Sequence, residues 1–121
     1  MEIQTRPYGT ELMLDMHGCN PEMFTKENLG KYISEVLELI QMERHGEPVF
    51  WEDNSGIPHL DGVSAMQFIK TSTLVIHCMK LMKLSLVNIF SCKEFDPKVA
   101  EEFTKNFFGA QAVVARVVTR N

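Results

Sequence analysis

The sequence predicts an α+β fold: a two-layer sandwich in which a mainly antiparallel sheet carries two helices on one face. Three observations lead there. The apolar patterning runs strand, helix, strands, helix, strand, an order that suits a sheet with helices packed against it. The three apolar runs between residues 63 and 92 are separated by gaps too short for crossover connections, which makes neighbouring strands antiparallel. The two helical stretches each carry a single apolar face. With 121 residues, 45% of them hydrophobic and 23% charged, the chain suffices for one domain (1–121) with one core. No repeat, low-complexity tract or linker divides it.

The elements follow in order. "TELMLDMHG" (Thr10 to Gly18) alternates apolar and polar residues and reads as a strand. In "NPEMFTKENLGKYISEVLELIQM", Leu29, Ile33, Val36, Leu37 and Ile40 recur at helical spacing, with Thr25 as N-cap and Asn28 where a capping-box glutamate would stand. Gly46 and Pro48 are the expected stop. "EPVFW" is a short strand, and Glu52 to Gly62 is a long loop. Apolar runs at Val63–Lys70, Thr73–Cys78 and Met82–Cys92 supply the central strands. In "FDPKVAEEFTKNFFG", Asp96 caps a helix that starts at Pro97 and stops at Gly109, with Val99, Phe103 and Phe107 as its apolar face. "AQAVVARVVTR" closes the chain as a β-branched strand. Met66, Phe68, Leu84, Leu86 and Ile89 would leave the other sheet face partly apolar, so a homodimer is expected.

Composition narrows the function. A net charge of -4 offers no electrostatic footprint for nucleic acid, so no such partner is expected. No apolar run approaches the roughly 20 residues of a membrane span, and no basic stretch flanks an apolar helix, so no membrane partner is expected either. The N-terminal stretch lacks the charged-then-apolar pattern of an export signal. Three cysteines without a CxxC pair favour free thiols in a reducing, cytoplasmic compartment. A glycine-rich phosphate loop and a GxSxG elbow are both missing from the sequence.

The side chains able to carry chemistry concentrate in "GVSAMQFIKTSTLVIHCMKLMKLSLVNIFSCKEFDP", Gly62 to Pro97. Taken singly, each has an ordinary explanation. Ser72 in "KTST" suits a hairpin turn, Ser64 is a strand serine, and His77 in "LVIHCM" suits a hydrogen-bonded core position. Cys92 precedes a helix start whose amides could lower its thiol pKa, making it the most reactive-looking of the three thiols. His17, Cys19, His77, Cys78 and Cys92 are metal-ligand types, but "HGC" and "HC" are not zinc spacings, and no metal is expected.

As an ordered set, these residues resemble the S-adenosylmethionine decarboxylase proenzyme family in its short prokaryotic form. The resemblance spans nearly the whole chain: "ELMLDMHGCNPEMF", then "GVSAM", then the S-x-x-x-x-H unit "STLVIH", then "FSCKEFDP". It implies that Ser72 is the precursor of a pyruvoyl cofactor. Its hydroxyl would attack the carbonyl of Thr71, and elimination would then cut the chain between Thr71 and Ser72. The pyruvoyl carbonyl would condense with the amine of the substrate and act as electron sink for loss of CO₂. The resemblance further implies that Ser64 assists the acyl shift, His77 assists the elimination, and Cys92 protonates the decarboxylated carbon. The pathway implied is polyamine (spermidine) biosynthesis, with S-adenosylmethionine or a related amine as the small-molecule substrate. Because five residues of extended strand span about 16 Å, His77 would not reach Ser72 of its own chain. Ser72 and Cys92 of one subunit would then meet Ser64 and His77 of its twin.

Three positions depart from the family's pattern. Thr71 stands where a glutamate precedes the cleaved serine, Leu81 replaces a substrate-holding carboxylate, and Pro58 falls where an aromatic ring is expected. Trp51 is an alternative source of a ring. Besides the leading reading, these departures keep open a decarboxylase of a basic amino acid, a non-processing relative that acts as a binding or regulatory partner, and a plain structural dimer.

Overall fold

The computed structural model describes residues 6–121; residues 1–5, the start of the stretch read for an export signal, lie outside the described residues. Six strands and two helices follow the expected order: β1 (Gly9–His17), α1 (Lys26–Leu39), β2 (Val49–Asp53), β3 (Gly62–Ile69), β4 (Ser72–Met79), β5 (Leu84–Ser91), α2 (Pro97–Phe108) and β6 (Ala112–Arg120). A 3-10 turn, Pro21–Met23, precedes α1. The sheet order is β2-β3-β4-β5-β1-β6, and every neighbouring pair is antiparallel. The α+β sandwich predicted from the patterning is the fold observed.

Alternation along the strands decides which residues meet the helices. Leu12, Leu14 and Met16 of β1, Leu74, Ile76 and Cys78 of β4, and Val87 and Ile89 of β5 are buried with the apolar stripes of both helices in one core. The opposite face presents Trp51, Met66, Phe68, Val114 and Val118 to solvent. Ile89 therefore does not belong to the outer face as expected. It is an odd number of residues from Leu84 and Leu86, so strand parity alone places it on the opposite side, and it is fully buried.

The helix caps are as read. Thr25 Oγ1 accepts from the Asn28 N–H at 3.1 Å, Asp96 accepts from Lys98 and Val99, and Gly109 ends α2 in the left-handed region at φ 63°. The buried stripe of α2, however, is Ala100, Thr104 and Phe108, one position on from the expected Val99, Phe103 and Phe107. The small Ala100 and Thr104 let the helices approach, and Tyr32 of α1 shares a 2.7 Å hydrogen bond with Thr104. Phe103 and Phe107 lap over the Tyr32 ring from the side, with centroids 6.0 and 5.4 Å away. Helix α1 also ends earlier than the Gly46–Pro48 signal. Ile40 caps it, Gln41 turns left-handed, and the following loop crosses to the sheet, where the His45 N–H donates to the Phe68 carbonyl. Strand β5 opens at Leu84 instead of Met82, because residues 80–83 form the turn from β4.

Candidate active site

Ser64 and His77 stand directly opposite each other on β3 and β4, and their side chains share a 2.7 Å hydrogen bond between Oγ and Nδ1. Both lie on the open face. His77 is hydrogen-bonded as expected of a core position, but its ring is exposed because its parity places it opposite the buried Ser72, Leu74 and Ile76. In the next strand outward, Trp51 pairs with Ser64, so its largely exposed indole lies on the same row.

A second group gathers at the other end of the sheet. Lys70 and Thr71 form the two-residue turn between β3 and β4. Thr71 adopts φ 62°, a left-handed conformation that β-branched residues rarely take. Its hydroxyl lies 2.6 Å from the Lys70 carbonyl oxygen and 2.7 Å from Cys92 Sγ. Ser72 opens β4 on the core side, nearly buried, and donates to Ser91 Oγ at 3.0 Å. Sequence reading did not single out Ser91. Its signal was parity: in "FSC", the residue before an outward-facing cysteine must point inward, beside the start of β4.

The three thiols differ sharply. The Thr71 hydroxyl has one proton and two acceptors, and when it turns to sulfur it stabilises the thiolate. That contact, followed by smaller ones from Tyr8 and Ser72, holds the Cys92 thiol below its ordinary range, against an opposing desolvation. The helix amides invoked from sequence are not the source, since Asp96 takes up the Lys98 and Val99 N–H groups. Burial pushes Cys19 up, and pushes Cys78 up to about 12.

One chain brings Ser64 to His77, and brings Thr71 and Ser72 to Cys92, but does not unite the two groups. Ser72 and His77 occupy opposite faces of β4. His77 is opposite Leu86, six residues from Cys92, or about 20 Å along the strands. Leu81 is exposed at the β4–β5 turn, and Pro58 lies in the neighbouring loop, whose Asp61 carbonyl accepts from the Lys80 N–H. Both therefore flank the Ser64–His77 end. Among the described residues no cluster of three metal-ligating side chains occurs, and no helix is long and apolar enough to cross a membrane.

The family model described as S-adenosylmethionine decarboxylase matches residues 10–121. Among solved structures, the chain is similar to the crystal structure of the adenosylmethionine decarboxylase from Aquifex aeolicus VF5. The TM-score is 0.81 at 12% identity, over 97% of this chain and 93% of that one. At that identity the likeness speaks for the fold alone. No curated protein matches the sequence.

Proposed function

Because the chain belongs to the S-adenosylmethionine decarboxylase family, we propose that it is a pyruvoyl-dependent decarboxylase made as a proenzyme, cut between Thr71 and Ser72 and acting on S-adenosylmethionine. The observation that carries this reading is the hairpin tip. A left-handed Thr71 precedes a serine whose hydroxyl is hydrogen-bonded in place, and the thiol most disposed to ionise lies against both.

The residues present fit the chemistry. Ser72 Oγ adds to the Thr71 carbonyl carbon, the C–N bond breaks, and the hydroxyl proton passes to the departing nitrogen, leaving an ester. Loss of the Cα proton of residue 72 then breaks the Cβ–Oγ bond and expels the Thr71 carboxylate; water displaces the nitrogen as ammonia. The carbonyl group this leaves at the head of β4 supplies the electron sink for loss of CO₂. Cys92 would be the group to deliver a proton at that end of the sheet, its thiol held below the ordinary range by the Thr71 hydroxyl.

His77 and Ser64 would come from a second copy. The midpoint between the two groups of one chain falls on the apolar belt of Met66, Phe68, Val75 and Phe90. A twofold axis through that belt, across the strands, would carry each Ser64–His77 pair over the partner's Thr71–Cys92. Covering the exposed Met66 and Phe68 would favour that packing. The three cysteines are free, which supports a reducing, cytoplasmic setting for a step of polyamine biosynthesis.

Thr71, standing where the family has glutamate, favours one second reading: a relative that remains uncut and serves as a binding partner. Intact-mass measurement separates the two. The proenzyme reading expects chains 1–71 and 72–121, the latter beginning with a pyruvoyl group, and a whole chain for Ser72→Ala. Wild-type protein that stays whole through prolonged incubation refutes it.

A further inference from the structure

We propose that Ser91 is a positioning residue for self-cleavage, holding the Ser72 hydroxyl in the orientation from which it attacks the Thr71 carbonyl. The inference rests on Ser72 being the nucleophile.

Ser72 and Ser91 are 5% and 1% exposed, on the side of the sheet that faces the helices. A buried hydroxyl left without a partner costs about 1–3 kcal/mol, so the Ser72 proton is strongly confined to the acceptor it has. That acceptor is Ser91 Oγ, 3.0 Å away. Ser91 is itself fixed, because its oxygen also accepts the Lys93 backbone N–H at 3.0 Å. Lys93 is tied down in turn, its ammonium donating to the Gln41 carbonyl just beyond α1. The strand end, the loop after α1 and the Ser72 hydroxyl therefore form one tethered chain of contacts.

Attack on the Thr71 carbonyl closes a five-membered ring through Oγ, Cβ, Cα, N and the carbonyl carbon. It needs one Ser72 rotamer, with an oxygen lone pair turned toward that carbon. A proton directed at Ser91 leaves the lone pairs free for it, so the hydrogen bond selects the reactive arrangement before reaction begins. Within one chain neither Ser64 nor His77 touches Ser72, and Cys92, whose thiolate draws on the Ser72 hydroxyl only as a minor contact, is the competing partner against which Ser91 holds the proton.

The test follows cutting of freshly made protein by intact mass, with and without hydroxylamine, which cleaves esters. Ser91→Ala should slow cutting by about tenfold or more, the rate equivalent of one lost hydrogen bond. Hydroxylamine should not restore it, because the ester itself forms slowly. Ser91→Thr, which returns the hydroxyl, should recover most of the rate. Should Ser91→Ala fail to fold, the near-isosteric pair Ser91→Thr and Ser91→Val decides the matter, with only the threonine cutting. Equal cutting by hydroxyl-bearing and hydroxyl-lacking variants overturns the role of Ser91 while leaving Ser72 as nucleophile. So does fast hydroxylamine cleavage of Ser91→Ala. A wild-type chain that never cuts removes both readings together.

Discussion

Ser64 Oγ and His77 Nδ1 meet at 2.7 Å on a sheet face that otherwise offers Trp51, Met66 and Phe68 to solvent. A polar pair set into an exposed apolar face adds little to the stability of one chain. It would gain meaning if a second copy covered the face, because desolvation would strengthen the pair and the packing would bring it onto the partner's hairpin tip.

Co-expression of Ser72→Ala and His77→Ala chains tests that arrangement. Each parent alone should stay whole or cut very slowly. A mixed dimer has one site with both Ser72 and His77 intact, and in it only the His77→Ala chain can be cut. Random mixing should therefore yield about half of the His77→Ala chains cut. Mixed dimers that form, as shown by differential tagging, yet contain no cut chain would exclude a shared site.

The elements were legible because local chemistry specified them. Asp96-Pro97 at a helix start, Gly109 at its end and the short gaps around residues 63–92 each have one cheap structural solution. What was not legible depended on packing between elements. The buried stripe of α2 is set by how closely Tyr32 approaches Thr104, which no periodicity within α2 records. The Cys92 environment depended on Thr71, 21 residues upstream, so sequence proximity to α2 suggested the wrong neighbour. Ile89 and Ser91 are different cases: strand parity contained both answers.

A second prediction concerns the contact between Thr71 and Cys92. Since its thiol is held low while burial raises the other two, Cys92 should react fastest with an alkylating agent at pH 7–8, and Cys78 slowest. Thr71→Val keeps the shape and removes the hydroxyl. The alkylation rate of Cys92 should then rise with pH along a curve displaced upward, toward the ordinary thiol range. Both proteins should carry Ser72→Ala so that cutting does not intervene. An undisplaced curve would show that the Thr71 proton stays on the Lys70 carbonyl. Because the folded pKa is depressed, any stability this thiolate adds is fully present above the unfolded value near 9 and is lost as pH falls through the folded pKa.

Cys78 has the opposite sign. Burial raises its thiol to about 12 from 9.0, so between those values the unfolded chain releases a proton that the folded chain keeps. Fewer protons bound in the unfolded state mean that stability falls as pH rises, by about 1 kcal/mol per pH unit from this group. Cys78→Ala should cost about 1 kcal/mol near pH 7 through lost packing. That gap should narrow as pH climbs from 9 to 10.5, because the variant lacks the titration. Urea midpoints across this range would reveal it, and a gap independent of pH would contradict the burial argument.

The final prediction separates stability from cutting at Thr71. A left-handed φ of 62° costs a β-branched residue roughly 1–2 kcal/mol, and glycine takes it freely. On the Ser72→Ala background, where nothing is cut, Thr71→Gly should therefore raise stability by about 1 kcal/mol, read as a higher urea midpoint. With Ser72 present, the same substitution should slow cutting. The strain that destabilises the uncut turn is released when the Thr71–Ser72 bond breaks, so relaxing the turn lowers the starting state more than the transition state. Thr71→Val retains the strained backbone while lacking the hydroxyl, and distinguishes this effect from loss of the contact with Cys92. If strain drives cutting, valine should cut faster than glycine. Equal rates for the two, alongside the expected gain in stability for glycine, would show that the strain at Thr71 belongs to the fold and is not used in the reaction.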